Sequence, residues 1–124
     1  MIPLDVRVAN FLGSVSFVAD KKRQHAMWVA GTQGVSSVIS LGELYAQFFD
    51  DNDIDNFIED ELDVSPLAIE QRHAIRSFRD ALNGFSKAPG KLSQPMSDAD
   101  VIDDQEWNEL VRLAQSTLTT FGAR

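Results

Sequence analysis

The stretch Asp51-Asn52-Asp53-Ile54-Asp55 has the residue types to hold a cation, because Asp-x-Asp-x-Asp opens a calcium loop of the EF-hand kind. Such a loop also needs glycine at its sixth position and a bidentate glutamate at its twelfth. Here those positions are Asn56 and Leu62, with Glu61 one residue early, so no metal site is expected. Nucleophilic or acid–base catalysis finds little more to work with. His25 and His73 are the two histidines, far apart in sequence, and each is expected at the surface or as a second-layer structural residue. No Gly-x-Ser-x-Gly, phosphate-binding glycine loop, His-Glu-x-x-His or dinucleotide fingerprint occurs. Cysteine is absent, which excludes disulfides, thiolate metal sites and a thiol nucleophile. Carboxylates are abundant, but on a solvated helix face they lack the burial that raises a pKa for acid catalysis. Neither an enzymatic activity nor a cofactor is expected.

The carboxylates are unevenly placed. The chain of 124 residues carries a net charge of −8 from 19 acidic and 11 basic residues. Residues 50–63 alone hold Asp50, Asp51, Asp53, Asp55, Glu59, Asp60, Glu61 and Asp63, with no Lys or Arg among them. A second acidic run, again without a base, spans residues 98–106. The positive charge gathers in Lys21-Lys22-Arg23, read as a solvated helix face, and around Arg72, Arg76 and Arg79. A field of this sign repels nucleic acid and anionic membranes and attracts basic partners. Asp50, Asp51, Asp53, Asp55, Glu59 and Glu61 are therefore the candidate partner-binding face, with Phe57 and Leu62 beneath it.

Helices must position these residues. Ser40-Leu41-Gly42-Glu43 has the form of a capping box, and Leu44, Tyr45, Phe48 and Phe49 follow at helical spacing. Ile54, Phe57, Ile58 and Leu62 form a second apolar stripe on a short helix with an acidic polar face. Ser65 as N-cap and Pro66 at the first helical position predict a helix over 66–83, with Gly84 at its C-terminus. Residues 86–97, rich in Pro, Gly and Ser, read as a loop. Asp103 to Glu106 make another capping box before Trp107, Leu110, Val111, Ala114, Leu118 and Phe121. Near the N-terminus, Leu4–Leu12 reads as a helix with Val8, Ala9, Phe11 and Leu12 inside, and Asp20 as the cap of another. Val15–Val18 and Trp28–Ile39 are rich in Val, Ser and Gly, which admits a short β-hairpin within residues 14–40. The expected fold is all-α: one domain, residues 1–124, built as a compact bundle of five to six helices. Trp28 and Trp107 are expected in its core.

No apolar stretch reaches the roughly 18 residues needed to span a bilayer, and the N-terminus lacks a signal peptide's basic and apolar regions. A cytoplasmic location is expected, with no membrane or nucleic-acid partner.

Certain motifs resemble small bacterial immunity proteins of the contact-dependent growth inhibition type. They are Gln24-x-x-x-Trp28, the turn Gly31–Ser37, the run from Phe48-Phe49-Asp50-Asp51 to Phe57-Ile58, and Asp104-x-x-Trp107 opening the last helix. The resemblance implies a cytosolic inhibitor that binds and neutralises the toxic domain of a delivered effector. A toxin that acts on nucleic acid carries a basic cleft, and the acidic segment would suit it. A nucleic-acid mimic that inhibits a nuclease, or an acidic helical adaptor, would share the same composition.

Overall fold

The computed structural model describes residues 3–28, 41–87 and 101–122. Every element in them is helical. Helix α1 (Leu4–Ala19) meets α2 (Lys21–Trp28) at Asp20. Helix α3 (Leu41–Tyr45) runs directly into a π-helical turn, Ala46–Asp51, and α4 (Ile54–Asn56) into another, Phe57–Leu62. Helices α5 (Ile69–Lys87) and α6 (Gln105–Thr120) complete the bundle. Helix α6 packs against both α1 and α5, while the α3–α4 segment closes over α1 and α5. None of the described helices is long and apolar enough to cross a membrane.

The core follows from stripe spacing. Phe11, Ser14, Val15 and Val18 are buried on α1, at the three- and four-residue intervals that bring side chains to one helix face. Ile75, Phe78, Leu82 and Phe85 do the same on α5, and Trp107, Leu110, Val111 and Ala114 on α6. Phe78 receives Phe11 and Phe48 edge-on, at centroid distances of 5.8 and 5.6 Å, so aromatic packing joins α1, the π turn after α3, and α5. Phe85 lies 5.4 Å from Trp107 and ties α5 to α6.

Several expected boundaries move. The first helix continues past Leu12 to Ala19, and Ala9, expected inside, is exposed. The stripe from Phe11 to Val18 wins over the strand preference of Val15–Val18, because burial against α6 outweighs a weak local propensity. Residues 14–19 and 21–28 are thus helical and 14–28 form no hairpin; residues 29–40, including the Gly31–Ser37 turn and Ser40, lie outside the described residues, as does the Trp28 side chain. Asp20 does cap α2, its carboxylate accepting the Arg23 N–H at 3.0 Å.

Helix α5 starts at Ile69, not Pro66. Ser65 serves the turn before the helix: its hydroxyl donates to the Leu62 carbonyl at 2.7 Å, finishing the preceding π turn, and accepts the Leu67 N–H at 3.4 Å. The start of α5 is served by Gln71, whose side-chain oxygen accepts the Ala68 N–H at 3.0 Å. Gly84 lies inside α5, which extends to Lys87; residues 88–100 are outside the described residues. A Cβ at Gly84 would meet nothing within 4 Å. Gly84→Ala is therefore expected to raise the unfolding free energy by about 0.5–1 kcal/mol in urea denaturation, since glycine pays extra backbone entropy in a helix. At α6 the cap is Asp104, one residue later than the capping-box register, and its carboxylate accepts N–H bonds from Glu106 and Trp107. Gly122, at φ +73°, supplies the left-handed residue just past the helix end.

Candidate functional site

The acidic segment sits on the two π turns and the bend between them. Phe57 and Leu62 are both fully buried although five residues apart. An α-helix would turn them about 140° away from each other, whereas the wider i→i+5 ladder brings them nearer to one side. Ile54 and Phe48 are buried with them, so the segment is fixed to the core from below. At the bend, Asp53 holds a left-handed φ of 51°, a conformation that Asp tolerates better than most residues.

The candidate carboxylates diverge around this scaffold. Glu61 turns toward α1 and pairs with Arg7 at 3.1 Å. The Arg7 side chain is 9% exposed, its other Nη donates to the Asn52 carbonyl at 2.8 Å, and its guanidinium lies 5.6 Å from the Phe57 ring centroid. Asp55 turns toward α5 and accepts from Arg79 Nε at 2.7 Å. This bond raises the Arg79 pKa above its ordinary value. Asp63 pairs with Arg76, and Arg72 donates to the Asp63 carbonyl at 3.2 Å. Arg72, Arg76 and Arg79 thus serve as an internal counter-row for this side of the acidic segment. Asp53 is taken up locally, both carboxylate oxygens accepting from the Asn56 amide at 2.9 and 3.1 Å.

Asp50, Asp51, Glu59 and Asp60 remain exposed with no ion pair among the described residues. Glu59 shares a shallow recess with Asp55, Arg76, Arg79 and Asp80, and Asp51 borders a cleft with Asn10, Ser14 and Arg23. Of the six carboxylates expected to form one face, the structure leaves Asp50, Asp51 and Glu59 outward, and engages Asp53, Asp55 and Glu61 internally. The sequence reading missed Asp60 as an outward acid and Arg7 as a partner. Arg7 lies more than forty residues from the segment it clamps, so no local pattern could reveal it. Because Asp53 and Asp55 point to different partners, the Asp-x-Asp-x-Asp motif does not converge on a point. Both histidines are exposed.

The Arg76 hydrogen bond, with the Arg76 charge behind it, lowers the Asp63 carboxyl pKa below its ordinary 3.8. A carboxyl whose pKa falls on folding binds more protons in the unfolded chain, so it stabilises the fold at neutral pH. That contribution is present above pH 3.8 and is lost as pH falls through the lowered folded value. Asp63→Asn is expected to make stability less dependent on pH below 3.8, measured by denaturation at stepped pH.

Two of the residues that carry the resemblance, Gln24 and Trp107, are structural. Gln24 is fully buried; its amide donates to the Phe17 and Val18 carbonyls at 2.8 and 2.9 Å, and its oxygen accepts the Trp107 indole N–H at 3.0 Å. Residues 83 apart in sequence thereby lock the α1–α2 corner to α6. No protein-family model, curated protein or solved structure matches the chain.

Proposed function

We propose that this chain is a cytosolic binding protein of the toxin–immunity kind, which neutralises a nucleic-acid-targeting toxin domain by docking on its basic surface. One observation carries the reading. The segment 50–63 is seated on the core through Ile54, Phe57 and Leu62, yet Asp50, Asp51, Glu59 and Asp60 are exposed and form no ion pair among the described residues. A rigid acidic rim raises the encounter rate with a basic partner, by about 10- to 10³-fold at low salt. Resemblance to immunity proteins points the same way and supplies the class of partner.

Co-expression with the product of the neighbouring gene tests this. A tight one-to-one complex is expected, with an association rate that falls steeply with salt. Recovery of two free proteins would remove the proposal. Reversing Asp50, Asp51 and Glu59 to lysine is expected to slow association by about tenfold or more at low salt, by stopped-flow fluorescence, because rim charges act mainly on the on-rate. The three internal arginine pairs favour a second reading, in which the acids serve folding and solubility in an adaptor module. Unchanged binding in the reversed variant would select that reading.

A further inference from the structure

The turn between α4 and α5 is unusual in where its apolar residues point. Val64 is 85% exposed and Ile69 60%, two of the three exposed large apolar side chains among the described residues. Pro66 and Ala68 between them are also exposed. A single exposed aliphatic needs no explanation, but four apolar residues within six positions form a patch. The turn beneath them is held firmly. Ser65 bonds to the Leu62 carbonyl through both its hydroxyl and its N–H, at 2.7 and 3.2 Å. Ala68 is bonded to Gln71, and Arg72 and Arg76 both reach to Asp63. Of the two nearest arginines in sequence, Arg76 is paired with the Asp63 carboxylate, while the half-buried Arg72 donates to the Asp63 carbonyl. Exposed Asp60, four residues before Val64, and exposed Glu70, next to Ile69, form no ion pair among the described residues, and exposed His73 lies one turn beyond Glu70.

We infer that the Asp63–Ile69 turn is the anchor of the docking surface, seating Val64 and Ile69 in an apolar recess on a basic protein face. This rests on the reading of the chain as a binder of a basic protein, and it assigns the source of affinity within that interface. Rim charges steer, whereas desolvated apolar anchors hold. A fixed turn loses little freedom on binding, so its apolar atoms contribute without an ordering penalty. The flanking carboxylates select a cationic surround over an anionic or neutral one.

A short amphipathic peptide of leucine and lysine serves as the probe, with oligolysine of equal length as control, followed by chemical-shift mapping on the whole chain. The expected result is that the leucine–lysine peptide shifts Val64, Ile69 and the Asp60 and Glu70 amides, and binds at least about tenfold tighter than oligolysine. Val64→Ser with Ile69→Ser is expected to abolish that advantage; both side chains stand in water, so the variant keeps its fold. Equal binding of both peptides, or an unchanged double variant, would overturn the anchor while leaving electrostatic docking in place. Failure of either peptide to shift Asp50, Asp51, Glu59 or Asp60 would remove the docking reading and the anchor together. A concentration-dependent dimer lost in the double variant would give the patch to a second copy of the chain, and would also overturn the inference.

Discussion

Replacing Gln24 by leucine is expected to destabilise the fold by roughly 2–4 kcal/mol, the cost of leaving buried polar groups without partners. Leucine matches glutamine in bulk but offers no polar atom. The Trp107 indole N–H and the Val18 carbonyl would lose the Gln24 bonds, while the Phe17 carbonyl keeps the Asp20 N–H at 3.3 Å. Trp107→Phe removes the indole donor and part of the ring, and is destabilising in its own right. Because Gln24 and Trp107 share one bond, the losses should not add. The double variant is expected to be more stable than the sum of the singles by about 1 kcal/mol, a coupling that urea denaturation of all four proteins would reveal. Strict additivity would mean that the Gln24–Trp107 contact contributes nothing.

Arg7→Met should lower stability by roughly 2 kcal/mol and act on one region. Removing one member of a buried ion pair costs about 3–5 kcal/mol, but Glu61 remains 29% exposed and recovers part of its hydration. The Asn52 carbonyl loses its 2.8 Å donor, and the bend at Asn52–Asp53 keeps only the longer 3.4 Å bonds of the Asn52 amide to Asn10 and Ser14 as a tether to α1. Amide exchange is the measurement that localises the effect. Residues 46–62 are expected to exchange faster in the variant, while Ile75 to Leu82 on α5 keep their protection. A uniform loss across both would mean that Arg7 supports the whole bundle and has no special hold on the acidic segment.

How far the sequence discloses this protein depends on whether a feature is local. The all-α bundle was legible because the stripes on α5 and α6 repeat at helical spacing over several turns. Asp20 and the Asp104 region announced themselves as caps through short carboxylate side chains placed just before helix-forming segments. Ser65-Pro66 and Gly84 misled, since residues suited to helix ends were used for a turn and within a helix interior. The π winding at Phe57–Leu62 was not legible at all: Ile54, Phe57, Ile58 and Leu62 read as an ordinary α stripe, whereas the structure buries Phe57 with Leu62 and leaves Ile58 half-buried. The acidic segment was visible as composition, but its division was not. Which carboxylate meets Arg7, Arg76 or Arg79 depends on how α1 and α5 lie beside it, and no spacing within residues 50–63 encodes that. The Gln24–Trp107 bond shows the same limit, because each residue is an ordinary member of its own helix.

Urea denaturation of two charge-neutralised variants tests most directly the division of the acidic segment into a side that holds the fold and a side that faces a partner. One variant carries Asp55→Asn, Glu61→Gln and Asp63→Asn; the other carries Asp50→Asn, Asp51→Asn, Glu59→Gln and Asp60→Asn. The first is expected to unfold at clearly lower urea than the parent, and the second at the same or higher urea because mutual repulsion is relieved. If the second variant loses as much stability as the first, the outward carboxylates are part of the fold, and there is no free acidic surface left to dock a partner.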